Sequence, residues 1–181
     1  MVHSHNENKR KKRTFTRAEM IDFTRGKLIE ANEGIEFVTQ KHNVLTCRYR
    51  GETISVYISS SRDYSTFDEG MDYKPNRLKA WNKGSQNIFK SYDYYALLVK
   101  ADEKTQYVTE KKGNIEGIFV SREEMNSWMS NKVKVPSGMV NFYLHYSQLP
   151  DESGSFVNVI DDREELAISL NPLYKKGWTI R

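Results

Sequence analysis

The chain has 181 residues and a mass of 21.2 kDa, with 38% hydrophobic, 29% charged and 12% aromatic residues, the size and composition of one globular domain. Its single cysteine, Cys47, excludes an internal disulfide and the multi-ligand zinc ribbons and fingers. No run approaches the ~20 apolar residues of a membrane-spanning helix, and neither a Walker-type phosphate loop nor a nucleophile-elbow sequence is present.

Taken in chain order, residues 1–13 (MVHSHNENKRKKR) hold Lys9, Arg10, Lys11, Lys12 and Arg13 against Glu7. The remaining residues carry 23 basic and 23 acidic groups, so the formal charge of +4 resides in this segment. It is expected to be a disordered basic arm, with residues 14–181 forming one domain. No apolar stretch follows the basic residues, so the arm does not read as a secretory signal and the expected location is cytoplasmic. Such an arm suits a phosphate backbone or an acidic protein face; the alternative is a solubilising terminus.

Thr16 and Glu19 form a capping-box pattern, with Phe15 placed to staple onto Met20. Met20, Ile21, Phe23, Leu28 and Ala31 continue at helical spacing until Gly34. Strands are predicted at 35–39, 44–49 and 53–59, the last two joined by a tight turn at Arg50-Gly51. Leu45, Cys47 and Tyr49 share one face of their strand, and Ile54, Val56 and Ile58 one face of the next. Residues 60–75 read as a long loop. Pro75 predicts a short helix over 76–82, closed by Gly84. A central strand is predicted at 92–100, another at 115–120, and a second capping box at Ser121 and Glu124 starts a helix through Met129. Strand candidates at 133–135, 139–146 and 156–159 follow, then a helix over 161–170 broken by Asn171-Pro172. The whole reads as a single α+β domain: a central mixed sheet with flanking helices.

Residues 74–90 contain Lys74, Arg77, Lys79, Lys83 and Lys90 and no acid, interleaved with Trp81 and Phe89. Cations alternating with aromatics can hold a phosphate backbone and stack bases. The other reading is a solvated helix face with Trp81 turned into the core. Arg48 and Arg62 extend the basic character. RNA or DNA is therefore the expected partner, with no membrane, through Lys9–Arg13 of the arm and Arg48, Arg62, Arg77, Lys79, Trp81 and Lys83 of the body. For catalysis, Asp72 and Lys74 have an acid-x-Lys form that could work with a divalent metal. They lie in a Ser- and Gly-rich loop, a poor mount for it. No cofactor and no metal site is predicted, Mg²⁺ entering only if the chain is a nuclease. His145 reads as a structural strand histidine and Cys47 as a small buried hydrophobe.

Three segments carry a resemblance: GETISVYISSSR (51–62), YDYYALLVK (92–100) and GIFVSREEM (117–125). Their order, after the first helix, resembles the PD-(D/E)XK nuclease fold, in particular MepB-like proteins, and implies a restriction-endonuclease-like core. The likeness covers about residues 16–130. Where that family carries acid-x-Lys, this chain has Tyr57-Ile58-Ser59, and near the expected earlier Asp it has Asn43 and Thr46. The resemblance thus implies a nucleic-acid-sized groove on a scaffold with a degenerate catalytic motif. In size and style the chain also resembles phage and mobile-element anti-defence proteins, including anti-CRISPR inhibitors. That likeness implies an alternative partner, a bacterial Cas9-type RNA-guided nuclease complex, bound directly or through capture of its guide RNA.

Overall fold

The structure is a computed structural model and describes residues 15–65, 77–102, 115–132, 137–150, 152, 156–162 and 167–181. The expected arm, Asp72 and Lys74, and the strand candidate at 133–135 lie outside these. The element order is α1 (Arg17–Ala31), β1 (Glu36–Lys41), β2 (Val44–Tyr49), β3 (Glu52–Arg62), β4 (Arg77–Ser85), α2 (Ile88–Ser91), β5 (Tyr94–Lys100), β6 (Ile115–Ser121), α3 (Arg122–Ser130), β7 (Met139–Leu149), β8 (Phe156–Asp161), β9 (Ile168–Ser169) and α4 (Asn171–Lys176). Among the described residues no helix is long and apolar enough to cross a membrane.

Two sheets organise the fold. The first is mixed, ordered β1-β2-β3-β5-β6, with β3 and β5 parallel and every other pair antiparallel. The second is antiparallel, ordered β4-β7-β8-β9. Arg50 and Gly51, both at positive φ (50° and 83°), make the two-residue turn between β2 and β3, a conformation whose twist matches the strands it joins.

Alternation decides what each sheet face meets. Leu45, Cys47, Ile54, Val56, Ile58, Ala96 and Leu98 face α1, whose Met20, Ile21 and Leu28 close one core together with Trp178 and Ile180 of the C-terminal segment. Asn32, buried at the end of α1, ties that segment down: its Nδ2 donates to the Trp178 carbonyl and its Oδ1 accepts the Ile180 N–H. The opposite face of the same sheet presents Tyr95, Leu97, Val99, Ile118 and Val120 to a second core with Leu78, Phe142, Leu144 and Tyr146 of the second sheet and Met125, Trp128 and Met129 of α3. The strand β5 is therefore covered on both faces, which is why its sequence is a continuous apolar run rather than an alternating one. Both capping boxes form, at Thr16–Glu19 and Ser121–Glu124.

Three expectations are corrected. The segment predicted as a helix over 76–82 is strand β4, and Trp81 lies 37% exposed on its outer side rather than in the core. The strand's inward residues are Leu78, Ala80, Asn82 and Gly84, so the largest apolar side chain points out and, apart from Leu78, small or polar ones point in. That inversion hides the period of two. The predicted loop at 60–75 is corrected at its first residues, where β3 runs on to Arg62; residues 66–76 lie outside the described ones. The predicted helix over 161–170 is not formed at its start or end: Asp161 closes β8 and Ile168–Ser169 is β9. Asn171-Pro172 opens α4 instead of breaking a helix, because proline in a first turn has no hydrogen bond to lose.

Candidate nucleic-acid interface

The outer side of β4 carries Arg77, Lys79, Trp81 and Lys83 in succession. Pairing with β7 sets Arg77 opposite Ser147, Lys79 opposite His145, Trp81 opposite Tyr143 and Lys83 opposite Asn141. The Trp81 ring stacks on Tyr143 at 5.9 Å and 19°, and its Nε1 donates to Asn141 Oδ1 at 3.0 Å. Lys83 Nζ lies 4.8 Å from the Trp81 ring centroid. Tyr64 meets Trp81 edge-on at 6.1 Å, and the Arg62 guanidinium lies 4.6 Å over the Tyr64 ring. Among the described residues, neither Arg77 nor Lys83 has a carboxylate within ion-pair distance. The result is a cluster of three rings on a sheet face, with Trp81 between the other two, Lys83 over Trp81 and Arg62 over Tyr64. At its border His145 Nδ1 sits 3.4 Å from Asp162.

Two buried devices fix this face, and neither was legible in the sequence. Beneath it, Lys132 and Asp161 form an ion pair with side chains only 3% and 1% exposed. Lys132 Nζ also donates to the Asn141 carbonyl at 2.8 Å. Asp161 accepts from Trp128 Nε1 at 2.8 Å and from the Tyr143 N–H at 3.1 Å. Desolvating two charges is costly unless the remaining hydrogen-bond capacity is used; here it is spent on the backbone of the two residues that hold Trp81. The second device is Asp63, also buried. Its Oδ1 accepts the N–H groups of Ser65 (2.8 Å) and Lys79 (3.2 Å), and its Oδ2 accepts that of Asp102 (3.3 Å). Ser61 Oγ accepts the Trp81 N–H, and Tyr64 N–H donates to the Lys79 carbonyl. The outer edge of β4 is thus occupied by the end of β3, which removes an exposed strand edge and leaves the flat face.

The structure brings Arg62, Arg77, Lys79, Trp81 and Lys83 together. It does not bring Arg48 to them. Arg48 is exposed on β2 opposite Thr53, at the far end of β3 from Arg62, about 30 Å away at the rise of a strand. Lys9, Arg10, Lys11, Lys12, Arg13, Asp72 and Lys74 fall outside the described residues. Tyr143, Tyr64 and Asn141 were not singled out from sequence. The signal that could have found them is the cross-strand register, which sequence alone leaves open.

At Tyr57-Ile58-Ser59 there is no acid to hold a metal. Tyr57 stacks on Tyr92 at 5.3 Å, Ile58 is fully buried against the α1 side, and Ser59 Oγ accepts from Asn82 Nδ2 at 3.2 Å. Asn43 passes its carbonyl to the Ile58 N–H. Among the described residues no group of three or more His, Cys, Asp or Glu side chains could hold a metal ion. Cys47 is buried, and desolvation, with a smaller contribution from the Asp93 charge, pushes its thiol up to about 11, the opposite of a nucleophile's requirement. A cleft between α3 and the β9–α4 segment is lined by Glu123, Glu124, Trp128, Leu170 and Leu173; its two carboxylates disfavour a phosphate ligand. Comparison of the chain with protein-family models, with curated proteins and with solved structures finds no match in any of the three.

Proposed function

We propose that this protein binds nucleic acid through the outer face of β4 and β7, on a degenerate nuclease-like scaffold. The observation that carries the reading is the alternation of β4, which gathers Arg77, Lys79, Trp81 and Lys83 on one solvent face and continues it through Tyr143, Tyr64 and Arg62. The cations attract phosphates and the rings offer stacking surface. The restriction-endonuclease-like core belongs to the same reading. A helix, an antiparallel meander, a parallel step from β3 to β5 and an antiparallel edge strand support it. On this scaffold the places of the metal-binding acid and the lysine are taken by Tyr57, Ile58 and Ser59, packed and hydrogen-bonded. The reading is accordingly binding without hydrolysis.

Anisotropy titration of fluorescent RNA and DNA oligonucleotides tests it. The full chain should bind both with an affinity that falls steeply with salt, and Lys79→Ala combined with Lys83→Ala should weaken binding about tenfold or more. Oligonucleotides incubated with Mg²⁺ or Mn²⁺ should remain intact. Wild-type affinity in the double variant would remove the face from the reading. Cleavage that EDTA abolishes would restore a hydrolytic function and make Asp72 and Lys74 the first residues to substitute.

A further inference from the structure

The face on β4 and β7 has the chemistry of a platform for unpaired bases, and we infer that its ligand is single-stranded nucleic acid, RNA or DNA, bound with little sequence preference; the inference rests on the nucleic-acid reading above. Packing does not explain the arrangement. β4 places its largest side chain, Trp81, on the solvent side while Leu78, Ala80, Asn82 and Gly84 point inward, so that beyond Leu78 the strand leaves its largest apolar surface outside, against what burial of apolar area favours. Nor is Trp81 left loose. Its indole N–H is held by Asn141 and its ring by Tyr143, and the backbone of both holders is fixed from below by the Lys132–Asp161 pair. A ring immobilised before binding loses little rotamer freedom on contact.

The ring cluster decides between one strand and two. A duplex keeps its base faces stacked inside and offers only base edges, in grooves that admit a helix or a two-stranded ribbon. Among the described residues, this four-stranded sheet with its outer strand edge occupied carries no such protrusion on this face. Every unpaired base exposes a π-face whatever its identity, and the exposed part of the Trp81 ring, held by Tyr143 on one side and Tyr64 at its edge, offers such a base a stacking surface. Lys79 and Lys83 flank Trp81 at two residues on either side, about 6.6 Å along the strand, positioned to meet the phosphates of a chain whose bases lie on the rings. Arg62 closes the Tyr64 end.

Trp81 is also the reporter. Trp128 and Trp178 are only 5% and 8% exposed, whereas Trp81 is 37% exposed. The full-length protein is titrated at one salt concentration with oligo(U), oligo(dT) and a blunt DNA duplex of matching phosphate number, following tryptophan fluorescence and, separately, anisotropy of labelled strands. Both single strands should quench tryptophan emission and bind about tenfold or more tightly than the duplex. Trp81→Ala should lose about tenfold in single-strand affinity while leaving duplex affinity within twofold. Trp81→Phe, which keeps a ring, should retain most of the affinity but lose the quenching. Unchanged thermal melting of Trp81→Phe secures the comparison if Trp81→Ala folds poorly. Duplex binding equal to or tighter than single-strand binding, with loss on substituting Lys79 and Lys83, would overturn the single-strand inference and leave the nucleic-acid reading standing. Absence of binding to all three probes would overturn both.

Discussion

Asp63 accepts three backbone N–H groups from three separate segments, a task that no other described carboxylate combines with joining the two sheets. Replacing it by alanine strips partners from three part-buried donors, each costing less than the ~1–3 kcal/mol of a fully buried one because water reaches them. Asp63→Ala should therefore lower stability by about 1–3 kcal/mol in all, read as a reduced urea midpoint at unchanged slope. Asp63→Asn, which keeps one acceptor, should lose less. Cys47 gives a second prediction at this scale. Its thiol is raised from 9.0 to about 11 by burial first and the Asp93 charge second, and burial likewise raises Tyr57, Tyr95 and Tyr146. Above the unfolded thiol value the unfolded chain releases a proton that the folded chain retains. The stability contribution is thus intact below pH 9 and declines as pH rises toward 11. Urea unfolding at pH 8, 9 and 10 should show the decline, and Cys47→Ala should reduce it. At pH 8 a thiol reagent should label the native protein only at the rate of unfolding.

At the scale of the element, the two helices that open on a capping box were the easier part, whereas the short α2 and α4 were not anticipated. Thr16–Glu19 and Ser121–Glu124 are local signatures, and both boxes form as the spacing predicts. Long-range partners then modify them. Glu19 is held below the ordinary carboxylate range chiefly by its hydrogen bond from Lys100. For Glu124 burial opposes ionisation, but hydrogen bonds from Lys176 and the Ser121 amide outweigh it and lower its pKa. These contributions are present above pH 4.5 and are lost as pH falls through the lowered values, so Lys176→Met should shift the acid-unfolding midpoint to higher pH. Strands whose alternation matches burial, such as β2 and β3, were legible. β4 was not, because of its four inward positions only Leu78 carries a large apolar side chain, the others being Ala80, Asn82 and Gly84. Glycines in strands here mark close approach: a Cβ at Gly117 would sit 2.5 Å from Leu98 Cδ2 and 2.9 Å from the Leu97 carbonyl. A backbone oxygen in a paired strand cannot move aside, so Gly117→Ala should cost about 1–3 kcal/mol of stability, measured by thermal melting against Gly26→Ala, which meets nothing within 4 Å.

For the whole molecule, the distribution of charge matters more than its sum. Outside residues 1–13 the chain is formally neutral, yet the fold sequesters Asp63, Asp161 and Lys132 in its interior and sets the β4 cations on one face. If that face engages three to four phosphates of a single strand, the log–log salt slope should be about −2 to −3. Deleting residues 1–13 should flatten the slope measured on the full chain if the basic segment adds contacts of its own. An unchanged slope would assign all phosphate contacts to the folded part. Arg48, about a strand's length from the cluster, should leave affinity within twofold when replaced by alanine.

Local signals in the chain were sufficient for the starts of α1 and α3, the β2–β3 hairpin, the doubly buried β5 and the presence of a cationic, aromatic stretch between residues 74 and 90. Each rests on residues close in sequence, where spacing alone determines which side chains share a face. Tertiary structure alone decided that Arg77–Ser85 within it is a strand, that Trp81 faces outward onto Tyr143 and Tyr64, and that Asp63, Lys132 and Asp161 are internal. Those outcomes depend on partners tens of residues away, whose desolvation and register outweigh the weak local preference of a short segment.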